Sequence, residues 1–242
     1  MSTTSDPFLN GNSWHMYTRL EKEFIETISY VALEINHRKV WSERFSDLLI
    51  RIGSSVDSFF RYMVNSKSFD DQETVKKLRG EIRRKPDWFP NMTDFRKTFE
   101  PIYKFSTVEV EAVYGLTFYD KLQPFKDFNK KTPPWWHAYN KVKHGMFEQL
   151  KNSATLENSI EALAGLFVLN VLQKESQKYL IRYTNVIFAE YMSKSDIERF
   201  LSESFLGVPK NIVSQFTAKT PLFTHIFRKD KNVSTGTYRV SD

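Results

Sequence analysis

The sequence of 242 residues contains no cysteine. A chain without cysteine has no disulfide framework, no zinc–thiolate site, no iron–sulfur cluster and no thiol nucleophile. Glycine and proline are also scarce, with 8 and 9 residues, which excludes collagen-like and low-complexity architectures. No apolar run approaches the roughly 20 residues that span a bilayer. Residues 1–13 lack the basic and apolar segments of a signal peptide. We therefore expect a soluble, cytoplasmic globular protein without a membrane partner.

Aromatic side chains, in contrast, are plentiful, since Phe, Tyr and Trp make up 15% of the chain. Lys and Arg (35) exceed Asp and Glu (29), which gives a formal charge of +6. A charge excess of this size agrees with an anionic partner such as RNA, but also with many ordinary enzymes, because net charge bears on partners and not on fold. The length suits one domain with appended elements.

Hydrophobic periodicity predicts a mainly α fold. We expect helices over residues 14–40, 42–63 and 72–84, another that begins at Pro134, and a central helix over 160–172 that is apolar almost all round. The segment 42–63 has the clearest apolar stripe, and Ser42 suits its N-cap. Asn158 and Glu161 have the spacing of a capping box. In the first of these segments, the side chains of residues 31–35 (VALEI) also fit the alternating pattern of a strand.

Residues 86–131 differ from their surroundings and are predicted to be an insert. Pro86, Pro90, Pro101 and Pro124 interrupt helices there. Alternating apolar residues around Val110 predict one or two short strands. We expect a disordered segment over 1–13, a helical domain over 14–180, appended elements over 181–228 and a flexible tail over 229–242.

The helix over 72–84 carries a basic face. Its cations, with one acidic residue among them, are Lys76, Lys77, Arg79, Arg83 and Arg84. Two interpretations stay open. The face is either an ordinary solvated helix surface or a patch that binds the phosphates of a nucleic acid.

A second cluster of polar residues lies on the helix that Pro134 opens. The sequence has no Gly-rich phosphate loop, no GxSxG, no HExxH and no EF-hand loop. On a helical wheel at about 100° per residue, Asn140 and His144 lie about 40° apart within an aromatic stripe, with His137 beside them. This interpretation continues the helix through Gly145. Such a pair forms either a structural hydrogen-bond network or a site for acid–base chemistry near neutral pH.

The stretch WWHAYNKVKH, followed by ATLENSIEALAGLFVL, resembles the signature helices of the HEPN superfamily. The family motif is an Arg, a polar residue that is often Asn, a few spacers and a His. Asn140 and His144 match the polar and His positions, and Tyr139 stands where the Arg is expected. The helix over 42–63 is similar to the family's early helix, whose polar residues often face the motif, which makes Asp57 and Ser55 candidates.

The resemblance implies an antiparallel helical bundle that dimerises and binds RNA or nucleotide. It implies a metal-independent endoribonuclease without cofactor, of a defence or toxin type. His144 would be the general base or acid, Asn140 a phosphate ligand, Lys143 the stabiliser of the charged phosphorane and Tyr139 a hydrogen-bond donor. Lys141 would contact nucleic acid, with Asp57 and His137 in support. The alternative is a non-catalytic dimerisation or protein-interaction module, in which Asn140, His144 and Asp57 form a structural network.

Overall fold

The structure is a computed structural model, and it describes residues 12–112, 121–145, 149–173, 176, 215–229 and 238–239. The described residues are mainly helical, as predicted. In chain order the helices are α1 (Ser13–Ile28), α2 (Glu43–Asn65), α3 (Glu73–Arg84), α4 (Met92–Tyr103), α5 (Pro134–His144), α6 (Leu150–Ser153) and α7 (Leu156–Leu172). The strands are β1 (Val110–Ala112), β2 (Lys121–Leu122), β3 (Gln215–Lys219), β4 (Phe223–Lys229) and β5 (Tyr238–Arg239).

Helix α2 lies at the centre of the bundle, against α1, α5 and α7. Its predicted apolar stripe is buried throughout. The Ser42 hydroxyl accepts a hydrogen bond from the Phe45 N–H (3.1 Å), which confirms the predicted cap. The end of α1 packs on the start of α2 through Phe24 and Phe45, so these helices are antiparallel. Near the start of α7, the Ser159 hydroxyl donates to the Phe45 carbonyl (3.5 Å), so α7 runs parallel to α2.

The first helix ends at Ile28, twelve residues before the predicted end. The prediction of a helix over 14–40 was wrong beyond that point. The chain becomes extended before α2, because Trp41 forms an antiparallel bridge with Thr155 and the Ser42 N–H donates to the Ala154 carbonyl. Helix α7 starts at Leu156 with Thr155 as its N-cap, rather than at the predicted cap Asn158.

The segment 86–131 contains a helix that the sequence interpretation missed. Helix α4 begins at a capping box, in which the Asn91 side chain accepts from the Thr93 N–H and Asp94 accepts from the Asn91 N–H. Pro101 lies in the last turn of α4. Because proline has no N–H, it removes only one hydrogen bond of the helix there.

This segment is part of the hydrophobic core and not an addition to its outside. Phe95 and Phe99 of α4 stack on Phe60 of α2. Their ring centroids lie 5.2 Å and 5.9 Å, respectively, from that of Phe60. Phe125 and Phe128 are fully buried in the same cluster. The predicted insert thus contributes buried aromatic residues to the centre of the fold.

The strands form one antiparallel sheet with the order β2-β1-β4-β3, and β5 also pairs with β4. The short strands predicted in the 86–131 segment are β1 and β2, which pair antiparallel. Strand β4 pairs with β1, so the described part of the predicted C-terminal appendage completes the sheet of the main domain. Phe223 at the start of β4 is fully buried and packs on Phe167 of α7 (5.7 Å). The predictions for 1–11 and 181–214 lie outside the described residues, as do most of those for 229–242.

A buried carboxylate fastens the turn between β3 and β4 to α1. One oxygen of Glu21 accepts hydrogen bonds from the Tyr17 hydroxyl (2.8 Å), the Thr220 hydroxyl and the Leu222 N–H (3.1 Å). Burial raises the pKa of Glu21, and these hydrogen bonds oppose the rise. Among the described residues, no helix has both the length and the apolar character needed to cross a membrane.

Candidate functional site

Helix α5 is anchored by its first turn. Pro133 is extended and Pro134 takes the first helical position, as predicted. The Trp135 indole N–H donates to the Pro124 carbonyl (2.6 Å), and its ring packs on Phe125 (5.9 Å). A β-carbon on Gly165 of α7 would lie 3.0 Å from the Trp135 ring, so that glycine lets the two helices approach closely. The start of α5 is therefore fixed on the core.

Tyr139, which was predicted to be a hydrogen-bond donor, is a packing residue. Its side chain is 2% exposed and lies against Gly53 of α2. Its hydroxyl lies 3.4 Å from the Ser54 hydroxyl, within the contact between the two helices. This position contradicts the expectation that Tyr139 donates a hydrogen bond to a substrate, because the ring and the hydroxyl are both engaged between α2 and α5.

The last turn of α5 is exposed. Lys141, Lys143 and His144 all lie on the surface, and the Lys143 ammonium lies 5.5 Å from the centroid of the Tyr139 ring. The helix ends at His144, and Gly145 is extended rather than helical, which corrects the predicted continuation through residue 145. A β-carbon on Gly145 would overlap the Lys141 carbonyl, so the chain turns here because residue 145 is glycine.

The predicted network of Asn140, His144 and Asp57 does not form among the described residues. Asn140 is half-buried and donates its amide to the Trp136 carbonyl of the same helix (3.1 Å). Asp57 accepts from Arg61, one turn further along α2 (2.7 Å). Asp57 thus forms an ion pair within its own helix instead of the predicted contact with Asn140 and His144. Among the described residues, Asn140 and Asp57 are therefore each bound within their own helix.

The two other predicted polar candidates also form local contacts. His137 is exposed, and its Nε2 lies 2.7 Å from the Thr132 hydroxyl, just before the helix. Ser55 donates to the Arg51 carbonyl of its own helix (2.8 Å). Neither side chain contacts His144 through a hydrogen bond, so the described geometry does not bring the predicted supporting residues together around the imidazole.

The basic face of α3 is divided between structural and exposed cations. Arg79 donates to the carbonyls of Val64 and Ser66 and to the Asp70 carboxylate, each at 2.5 Å. It closes the C-terminal end of α2, so Arg79 has a structural role in addition to the predicted one, and its binding of nucleic acid stays a prediction. Lys76 pairs with Glu73 (2.8 Å) and remains exposed. The other predicted phosphate ligands on the solvent side are Lys77, Arg83 and Arg84.

The exposed cations of α3 and of α5 lie at opposite ends of α2. Trp135, at the start of α5, contacts Phe125, which packs on Phe60 in the second half of α2. Tyr139 contacts Gly53, so α5 runs antiparallel to α2 and His144 points toward its start. Arg79, in contrast, holds the last residues of α2. At about 1.5 Å per residue, Arg79 and the end of α5 contact levels of α2 that are about 25 Å apart along its axis.

The end of α5 shares its surroundings with two residues that the sequence interpretation missed. Helix α6 packs on α5, and Lys151 of α6 places its ammonium 5.8 Å from the ring centroid of Trp41. Trp41 is exposed and directly precedes the cap of α2. The residues of what we call the α5–α6 surface are Trp41, Lys141, Lys143, His144 and Lys151. The only signal in the sequence was a tryptophan immediately before a predicted cap, because the contact with Lys151 spans 110 residues.

No protein-family model matches the sequence, and comparisons with the curated proteins and with the solved structures gave no match. Within the described part of the chain, no group of three or more His, Asp or Glu side chains is arranged to hold a metal ion. The α5–α6 surface nevertheless carries side chains with suitable chemistry for an anionic or aromatic ligand. It offers ammonium groups for an anion, an exposed imidazole for proton transfer and an aromatic ring for a flat group.

Proposed function

We propose that the protein is a HEPN-like RNA-binding protein and that RNA binds at the α5–α6 surface. The observation that carries the proposal is the exposure of Lys141, Lys143 and His144 together in the last turn of α5. Exposed ammonium groups attract phosphates and displace their counterions, which supplies most of the affinity for a nucleic acid. The HEPN resemblance supports the same site, since Asn140 and His144 are its matching residues.

Metal-independent cleavage of RNA is the second proposal, and the exposed His144 favours it over a structural role. The imidazole would accept the proton of a ribose 2′-OH as that oxygen attacks the phosphorus and displaces the 5′-oxygen of the next nucleotide, which takes a proton from water as it leaves. Lys143, the neighbouring cation, would stabilise the added negative charge of the transition state. Tyr139 has no part in this scheme because it is buried against Gly53.

Binding is tested by fluorescence anisotropy with labelled RNA over a range of salt concentrations. In the double variant Lys141→Ala/Lys143→Ala we expect weaker binding. The slope of log K against log salt should become shallower by about 1.4 for a single strand, because two phosphate contacts are lost at about 0.7 each. The matched control is Lys130→Ala/Lys131→Ala, which removes two exposed charges before α5. Equal effects of the two double variants would contradict a localised site.

Cleavage is tested by incubating the purified protein with single-stranded and structured RNA in the presence of EDTA. We expect wild-type protein to cleave and His144→Ala to be inactive, with His137→Ala as the matched control. His137 is also an exposed histidine of α5 but lies two turns earlier. Absence of cleavage by the wild type, or equal cleavage by His144→Ala, would leave binding as the function.

Dimerisation and the α3 cations are further parts of the proposal. HEPN-like pairing would bring the ends of two α5 helices to one cleft, which light scattering with and without RNA would detect. Lys77, Arg83 and Arg84 would contact phosphates beyond the α5–α6 surface. Because α3 is held at the end of α2 through Arg79 and α5 ends toward the start of α2, only RNA of several nucleotides would reach both groups.

A further inference from the structure

Trp41 is an exposed tryptophan held in place by its backbone. Its side chain is 40% exposed, whereas Trp14, Trp135 and Trp136 are at most 8% exposed. An antiparallel bridge to Thr155 fixes its main chain, and the next residue, Ser42, caps α2. The ring is therefore presented to solvent from a rigid position between the starts of two long helices. A fixed, accessible aromatic ring provides a surface on which a nucleobase stacks.

The charges around Trp41 are mainly positive. The Lys151 ammonium lies 5.8 Å from the ring centroid. Nearby, Glu157 at the start of α7 is bound by both Arg38 (2.6 Å) and Lys39 (2.7 Å), which offset its negative charge. Helix α6, which carries Lys151, packs on α5. A phosphate attached to a base on Trp41 would thus meet the Lys151 ammonium of α6, and the strand could continue toward α5, on which α6 packs.

We infer that the ligand of the α5–α6 surface is single-stranded RNA, with one unpaired base stacked on Trp41 and the adjoining phosphates bound by Lys151 and the cations of α5. This inference rests on the proposed RNA binding and names its substrate class. Bases within a duplex are already stacked and paired, so they do not offer a free face to a side chain. A duplex would use the cations through its phosphates but would not contact the ring.

The first experiment compares affinities for a single strand of about 12 nucleotides, within the usual range of single-strand sites, and for the duplex that contains it. We expect Trp41→Ala to weaken binding of the single strand by about 5- to 100-fold and to leave the duplex unaffected. Met16→Ala is the matched control, because Met16 is exposed to the same degree (43%) on α1. Trp41→Phe keeps an aromatic ring and should retain most of the affinity.

The second experiment uses tryptophan fluorescence, which reports the stacking directly. We expect single-stranded RNA to quench the wild type and the control Trp88→Phe, and the quenching to be largely lost in Trp41→Phe although that variant still binds. Equal affinities for single strand and duplex with no effect of Trp41→Ala, or unchanged quenching in Trp41→Phe, would overturn the inference while RNA binding stands. Failure of the wild type to bind either RNA would overturn the proposed function and this inference with it.

Discussion

The ring of Tyr139 lies directly against the backbone of Gly53, so close that a β-carbon at position 53 would overlap the ring. This contact fixes how near α5 comes to α2. With α5 held there and by Trp135, its last turn buries Val142 and exposes Lys141, Lys143 and His144. The position of these exposed residues thus depends on a glycine in the centre of α2.

Gly53→Ala should destabilise the protein because the new methyl group has no space. Overpacking a core costs typically about 1–3 kcal/mol, and the rigid contact here places the expected loss at the upper end. The matched control is Gly80→Ala in the middle of α3, where a β-carbon would meet nothing within 4 Å. That variant should gain about 1 kcal/mol from helix propensity. Urea unfolding measures both, and a loss of stability in Gly80→Ala, or none in Gly53→Ala, would contradict the packing described.

Glu21→Ala should detach the turn between β3 and β4 from α1. The substitution leaves the Thr220 hydroxyl and the Leu222 N–H without their buried acceptor, at a cost of about 2 to 4 kcal/mol. Hydrogen exchange should show lost protection at Leu222 and Phe223 before the helices open. Glu26→Ala, an exposed site on the same helix, is the control and should leave the exchange unchanged.

Stability should depend on pH through Glu161 of α7. Burial, together with the neighbouring Glu157 carboxylate, raises the pKa of Glu161 from 4.5 to about 7, and Lys126 opposes the rise. Between these values the folded protein keeps a proton that the unfolded chain has lost. The free energy of unfolding therefore falls as the pH rises from 4.5 to 7, by at most about 3 kcal/mol from this group.

The check is Glu161→Gln, which keeps the shape and removes the titration. The free energy of unfolding of the variant, relative to that of the wild type, should be larger at pH 8 than at pH 5, because most of the Glu161 titration lies between these values. Glu26→Gln, at an exposed position, should show no such gain. If the difference between Glu161→Gln and wild type were the same at both pH values, the assigned pKa of Glu161 would be wrong.

Arg79→Ala should lower stability, whereas Arg84→Ala should not. Removing Arg79 leaves the carbonyls of Val64 and Ser66 without their charged donor, which costs about 1.5–3 kcal/mol. Arg84 is exposed, and its loss should stay within about 0.5 kcal/mol. Arg84→Ala should weaken RNA binding more than Arg79→Ala does, because of the two side chains only that of Arg84 is available to a phosphate. Thermal unfolding and anisotropy distinguish the two, and equal destabilisation would contradict the structural role of Arg79.

Local signals in the sequence correctly predicted most of the central bundle. The apolar stripe of α2, the cap at Ser42, the helix over 72–84 and the opening of α5 by Pro133 and Pro134 all follow from interactions within a few residues. Helix α4 carried such a signal too, in the spacing of Asn91 and Asp94. The surrounding prolines obscured this signal, since prolines usually interrupt helices. Only one of them, Pro101, lies inside α4, and it is near the end of the helix.

The sequence by itself determined most of the helices of the central bundle, the cap at Ser42, and that His144 follows Asn140 on one face of α5. Only the tertiary structure decided that Tyr139 is buried, that Arg79 closes α2 and that Lys151 meets Trp41. It also decided that β4 completes the sheet begun by β1 and that Glu21 holds Leu222, 201 residues further along the chain. Helical periodicity and capping depend on residues within one or two helical turns, so they can be recognised from a short stretch of sequence. Contacts between distant residues arise from the packing of the whole core, and no short stretch of sequence contains them.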